Sequence, residues 1–216
     1  MSETLYLESD GIWCRTFPPA GDGGVAGRAA LFLDRDGVVV EEVHFLHRPE
    51  DVRLVPGAAS VVAEARQRGI AVVLTTNQSG IARGLFGWDA FAVTQSRLEA
   101  LLAAEQAAFD MVLACPFHPD GNPPYRREHP CRKPQPGMLL RAAERLGLDL
   151  AASWVVGDRV RDLEAARAAG CAGGLHVLTG HGPGERADAI LLDCPDFDVR
   201  LGESVAEAHA LPLLQP

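Results

Sequence analysis

Ala29-Ala30-Leu31-Phe32-Leu33-Asp34-Arg35-Asp36-Gly37 decides the fold, because an apolar run ends there in two carboxylates and a glycine. The apolar residues read as a buried β-strand, which Gly37 breaks. Asp34 and Asp36 then fall at the strand's carboxyl end, where open α/β sheets bind ligands. Two acidic side chains so close repel each other unless a cation or a shared proton intervenes. The chemistry that follows is a magnesium site in which one carboxylate attacks and the other moves a proton. A plain surface turn is the competing reading, since Asp and Gly are ordinary turn residues.

Beyond this strand the pattern alternates. Val38 to Val55 is a connection carrying Glu42, His44, Phe45 and His47, long enough to be a functional flap. Pro56-Gly57 opens a helix with Val61, Val62 and Ala65 on one face, and Gly69 stops it. Ile70 to Thr75 reads as a second strand, followed by the polar loop Thr76-Asn77-Gln78-Ser79-Gly80. Trp88 to Ala107 has helical spacing, Met111 to Ala114 reads as a third strand, and a Pro-, His- and Arg-rich insertion runs on to Pro136. Gly137 to Leu146 and Arg161 to Ala169 are helical, with a strand at Ser153 to Val156 between them that Gly157-Asp158 ends. Leu175 to Leu178 and Ala189 to Leu192 read as the last two strands. Strands alternating with helices predict an α/β, three-layer Rossmann-like sandwich with a mainly parallel sheet. Residues 1–28 form a Gly/Pro-rich N-terminal arm, loosely attached and able to lend an edge strand near Thr4-Leu5-Tyr6-Leu7. Residues 29–198 are the domain itself, and 199–216 are a weakly patterned C-terminal tail with room for a short helix.

Composition narrows the function. A chain of 216 residues, 47% hydrophobic, fits one α/β domain with a substantial core. A formal charge of −9 argues against an extended nucleic-acid surface. No apolar stretch spans a bilayer and no signal-like N-terminus is present, so the expectation is a soluble, cytoplasmic protein, a monomer or small homo-oligomer. Cys14, Cys115, Cys131, Cys171 and Cys194 are an odd, scattered set, read as reduced thiols, with Cys171 and Cys194 as packing residues. Lys133 is the only lysine among the 20 basic residues. A compact ammonium and a planar guanidinium are not interchangeable at a close contact, so its survival in an arginine-rich chain points to function.

Four polar clusters thus fall at strand carboxyl ends: Asp34 with Asp36, Thr76 with Asn77, the Arg132-Lys133 loop, and Asp158 with Asp162. A carboxylate nucleophile, a hydroxyl, a lysine for phosphate charge and further carboxylates for Mg²⁺ are the parts of a phosphoryl-transfer site. In order and spacing these residues resemble the four motifs of the haloacid dehalogenase superfamily: Asp34-x-Asp36-Gly37, Thr76, Lys133 and Gly157-Asp158-x-x-x-Asp162. More narrowly, Phe32 to Gly37, Thr76 to Gly84 and Arg132-Lys133-Pro134-x-Pro136-Gly137-Met138-Leu139 are similar to the D-glycero-D-manno-heptose 1,7-bisphosphate 7-phosphatase and histidinol-phosphatase family. The similarity spans about residues 29–180.

That resemblance implies a haloacid dehalogenase-like fold without a large cap domain, and hydrolysis of a small phosphorylated sugar through an aspartyl-phosphate. Asp34 would attack phosphorus. Asp36 would protonate the leaving alcohol and then activate water, its carbonyl also ligating Mg²⁺. Thr76 and Lys133 would hold the phosphoryl oxygens, and Asp158 would complete the magnesium shell with Asp162 in support. Arg132 would recognise the substrate, through a second phosphate that its forked donors suit. Asn77, Gln78, Ser79 and the flap residues Glu42, His44 and Phe45 would contact it too. Cys115-Pro116-Phe117-His118 and His129-Pro130-Cys131 resemble the family's structural zinc loop, usually Cys-x-His then Cys-x-Cys. Here Phe117 and His129 replace a histidine and a cysteine, leaving Cys115, His118, His129 and Cys131 as the zinc set. The competing reading is a loop held by proline packing. For the whole protein the rivals are a histidinol-phosphate phosphatase and, from another class, a non-catalytic phospho-ligand-binding module. Intact Asp34, Asp36, Lys133 and Asp158 speak against the latter.

Overall fold

A computed structural model describes residues 6–18 and 27–215. Its seven strands are β1 (Trp13–Thr16), β2 (Ala30–Leu33), β3 (Ala71–Asn77), β4 (Met111–Cys115), β5 (Trp154–Gly157), β6 (Gly173–Val177) and β7 (Asp198–Gly202). They form one sheet in the order β1-β4-β3-β2-β5-β6-β7. Only β1 runs antiparallel. The helices are α1 (Ala58–Gln67), α2 (Ser79–Ala82), α3 (Trp88–Ala104), α4 (Gly137–Leu146), α5 (Val160–Ala169) and α6 (Gly182–Ile190).

Strand β2 shows why the sheet must be covered on both sides. Leu31 and Leu33 join one core, with Val61 and Val62 of α1 and Phe91 and Leu98 of α3. Ala30 and Phe32 join the other, with Met138 and Leu139 of α4, Leu163 of α5 and Ala189 of α6. Side chains alternate between the faces of a strand, so an uninterrupted apolar run requires an apolar partner on each. The result is three layers. From β2 the chain winds through β3 and β4 to one side and, from β5, through β6 and β7 to the other. The reversal between β2 and β5 is a topological switch point, and the crevice at their carboxyl ends is the expected ligand site.

Two expectations are corrected. Ala189 to Leu192 is not a strand: Ala189 and Ile190 end α6, and Leu191 is 78% exposed while Ala189 is buried. A short apolar run fits a one-sided helix end as well as a strand, and only tertiary contact separates them. The last strand is instead β7, whose burial is patchy enough to hide it from a hydrophobicity pattern. The described part of the arm is also not loose. Trp13 is buried against Tyr6 and Phe91, and β1 pairs along β4 from Trp13 opposite Ala114 to Thr16 opposite Met111. Thr4, Leu5 and residues 19–26 of the arm, and Pro216 of the tail, lie outside the described residues. The tail carries a 3₁₀ helix at Val205–Ala210 and buries Leu211 and Leu214. No helix among the described residues is long and apolar enough to cross a membrane.

Candidate active site

Asp34 is placed by backbone geometry: its N–H donates to Val156 O at 3.0 Å, which continues the β2–β5 ladder one residue past the strand. Lys133 arrives from the loop before α4 and is buried. Its Nζ donates to Asp34 Oδ1 at 2.8 Å and to Thr75 O at 2.8 Å, and lies 2.7 Å from Asp162 Oδ1. Burial works against the ammonium, but Asp162 and Asp34 outweigh it and raise its pKa. Burial likewise pushes Asp34 up, with Lys133 opposing and Asp162 reinforcing that rise. With two carboxylates around one ammonium, we read Lys133 as charged. Asp34 Oδ2 receives no hydrogen bond among the described residues, which leaves it free to act.

Asp162 is tied to Lys133 and to the start of its own helix. It is buried, its Oδ1 lies on Lys133, and its Oδ2 accepts the Arg159 N–H at 3.1 Å as the cap of α5. It supports the lysine from a place beside Asp158. Asn77 likewise grips the backbone of Lys133, donating Nδ2 to the carbonyl at 2.9 Å and accepting the N–H at 3.1 Å.

Asp158 ends β5 under two glycines. A Cβ on Gly37 would stand 2.6 Å from Asp158 Oδ2, and one on Gly180 2.3 Å. Both have positive φ, 83° and 61°, so any side chain there would be strained as well as obstructive. The His181 N–H donates to the same oxygen at 2.7 Å. Burial, then Asp34 and Asp162, push Asp158 up to about 8. The ligating atoms of Asp34, Asp158 and Asp162 lie within 4.8 Å of one another, all buried. Hard oxygen donors held against their own repulsion suit a hard divalent cation, so Mg²⁺ fits Asp34 and Asp158.

This has a measurable sign. In the metal-free protein Asp158 prefers its neutral form, so its stabilisation is present below the unfolded pKa and is lost as pH rises through about 8. Mg²⁺ binds the ionised form. The rise in Tm on adding Mg²⁺ should therefore be larger at about pH 8.5 than at about pH 5.5, by ~5 °C or more at saturating metal. Equal shifts at both pH values would show that Asp158 does not take part.

Asp36 faces the same crevice. Arg35, fully buried over the Phe91 ring, reaches Asp36 Oδ1 through Nε at 3.1 Å and through a terminal nitrogen at 2.9 Å. Gln78 Nε2 donates to Asp36 Oδ2 at 3.1 Å and to Thr76 Oγ1 at 2.8 Å. These bonds fix the Asp36 carboxyl while leaving it partly exposed. A cavity of about 210 Å³ opens here. Asp34, Asp36, Glu42, His44, Phe45, Thr76, Asn77, Gln78, Ser79 and Asp158, all expected from sequence, line it.

Other expected residues lie elsewhere. Lys133 sits behind Asp34, off the wall. Arg132 is also off it, its guanidinium donating to Phe117 O at 3.0 Å. Arg35, Arg159, Arg161 and His181 line the cavity and were not anticipated. The signal was available in Gly157-Asp158-Arg159-Val160-Arg161-Asp162, which has two arginines inside the fourth motif.

The loop expected to bind zinc is held by other contacts. Among the described residues, Asp34, Asp158 and Asp162 form the one group of three or more potential ligands brought within 4.8 Å, and Cys115, His118, His129 and Cys131 do not form such a group. His129 stacks on Phe117 at 4.3 Å and accepts the Cys131 N–H, while His118 accepts the Asp120 N–H. Arg127 covers the Phe117 ring at 4.3 Å. Burial pushes Cys115 up to about 12 and raises Cys131, so both are neutral thiols. Phe117, at the usual histidine position, stacks on His129 and offers no ligand itself. The other cysteines are free too, and Cys194 is exposed rather than a packing residue.

Comparison with known proteins agrees with this geometry. The HAD-hydrolase-like family model matches residues 130–203. A D-glycero-β-D-manno-heptose-1,7-bisphosphate 7-phosphatase of Mesorhizobium japonicum is 44% identical over 174 residues, 78% of this chain and 77% of the relative. A HAD-like phosphatase structure from Mesorhizobium loti superposes with a TM-score of 0.84 at 38% identity, covering 97% of this chain and 94% of that one. The D,D-heptose 1,7-bisphosphate phosphatase of B. bronchiseptica, solved with magnesium and phosphate, gives 0.74 at 36% identity over 84% and 96%. With that identity over more than two thirds of both sequences, and acidic strand ends meeting at one switch point, the chain belongs to the D-glycero-β-D-manno-heptose-1,7-bisphosphate 7-phosphatase family of haloacid dehalogenase-like hydrolases.

Proposed function

We propose that this protein is a magnesium-dependent phosphatase that removes the 7-phosphate of D-glycero-D-manno-heptose 1,7-bisphosphate. The observation that carries the reading is Asp34 held at the switch point, one oxygen on Lys133 and the other free, beside buried Asp158. Asp34 Oδ2 attacks phosphorus as the bond to the sugar oxygen breaks, and Asp36 gives that oxygen its proton. Asp36, now ionised, takes a proton from water, whose oxygen attacks the phosphorus of the aspartyl-phosphate and frees Asp34 with inorganic phosphate. Gln78 and Arg35 keep the Asp36 carboxyl aimed through both transfers. Lys133 is a positioning residue, orienting Asp34 and offsetting its charge. Asp34, Asp158 and the Asp36 carbonyl would hold Mg²⁺, which when bound would neutralise charge on the phosphoryl oxygens.

The family's substrate and the phosphate-bearing relative support the heptose bisphosphate, and the flap supplies polar contacts for a sugar. Phosphate release from heptose bisphosphate, histidinol phosphate and simple sugar monophosphates tests it. The expected order puts heptose bisphosphate at least ~10-fold ahead in kcat/KM, about 1.4 kcal/mol of transition-state discrimination. Equal rates, or histidinol phosphate ahead, would overturn the substrate assignment.

A further inference from the structure

Besides Arg161, the cavity wall carries two arginines, Arg35 and Arg159, and each has an anionic partner. Arg35 is forked onto Asp36 at 2.9 Å, Arg159 pairs with Glu185 at 2.9 Å, and His181 lies 3.6 Å from Glu42. Arg161 pairs with no carboxylate among the described residues, and its Nε is buried without any hydrogen-bond partner. A buried guanidinium nitrogen left without an acceptor is costly. Arg35 Nη1 shares that state, but Arg35 already holds Asp36, so Arg161 is the wall arginine placed to take an acceptor from outside.

Its surroundings say what that acceptor is. The charge of Arg161 opposes the upward shift of Asp34 and lowers the pKa of Arg132, so it acts on both the nucleophile and a second guanidinium. Burial first, and then neighbouring guanidinium groups including Arg83, lower the pKa of both Arg132 and His118. Guanidinium groups that disfavour one another's charge relieve that repulsion when one of them takes an anion. Arg132 has committed one terminal nitrogen to Phe117 O and does not reach the wall, whereas Arg161 is on it.

We infer that Arg161 is a specificity-determining residue that grips the phosphate that does not react, while the other phosphate is processed at Asp34. This rests on the bisphosphate reading above and names how the second phosphate is recognised. The planar fork suits a phosphate held by two parallel hydrogen bonds.

Wild type, Arg161→Ala and Arg161→Lys are compared on heptose 1,7-bisphosphate and on p-nitrophenyl phosphate. Glucose 1,6-bisphosphate and glucose 6-phosphate serve as competitors in the second assay. Arg161→Ala should lower kcat/KM ~30-fold or more for the heptose bisphosphate and less than ~5-fold for p-nitrophenyl phosphate. It should weaken inhibition by glucose 1,6-bisphosphate more than inhibition by glucose 6-phosphate, and Arg161→Lys should recover part of both losses. Equal losses on the two substrates would mean that Arg161 acts only through Asp34. That result, or no loss at all, overturns the inference. A wild type that cleaves p-nitrophenyl phosphate but not the heptose bisphosphate contradicts the substrate reading instead, and the two competitors then still decide the role of Arg161.

Discussion

Asp34→Asn should lower phosphate release at least ~10³-fold, about 4 kcal/mol of barrier, because an amide is a poor nucleophile of nearly the same shape. The amide oxygen can still accept from Lys133 Nζ, so the 2.8 Å contact survives and the fold with it. Removing one negative charge also relieves the repulsion that raises Asp158, so the metal-free variant should melt no lower than wild type. Its gain in Tm from Mg²⁺ should shrink, since one of the two carboxylates offered to the ion is gone. Phosphate release within about tenfold of wild type would remove Asp34 from the nucleophile's role.

Lys133→Arg should cost at least ~30-fold in kcat, although the chain uses arginine for every other basic residue. The ammonium donates to Asp34 Oδ1 and Thr75 O at 2.8 Å and is ion-paired with Asp162 Oδ1 at 2.7 Å, all in a buried pocket. A planar guanidinium cannot place its donors on those three oxygens from the same point, so it must push Asp34 or Asp162 aside. Overpacking of a buried site typically costs about 1–3 kcal/mol, so the variant should also unfold at a lower temperature. Turnover and Tm both near wild type would mean that Lys133 is not the group that sets Asp34.

How much of this was legible in the sequence depends on whether the information was local. Asp34 and Asp158 could be read because each directly follows an apolar run, and a strand's end fixes where its next side chain sits. Helices α1, α4 and α5 could be read from their apolar faces and the glycines that stop them. Ala189 to Leu192 misled because four apolar residues fit either a buried strand or the end of a one-sided helix. The contacts that hold the expected zinc loop were not legible, because ligand residue types were visible while their pairings were not. The Phe117–His129 stack is a contact between residues twelve apart in an irregular segment. The roles of Arg132 and Arg161 depend on where long side chains point, which no periodicity reports. The partners of Lys133 were hidden for the same reason: Asp34 follows β2, Thr75 lies within β3 and Asp162 stands in the first turn of α5.

The central claim is that Asp34 itself becomes phosphorylated, and rapid acid quench of the enzyme during turnover of heptose bisphosphate, followed by mass analysis of its peptides, tests it most directly. The expected result is one phosphoryl group on the peptide containing Asp34, absent when Mg²⁺ is chelated and absent from Asp34→Asn. A phosphoryl group on any other residue, or steady turnover with none on Asp34 at quench times that resolve a single cycle, would contradict it.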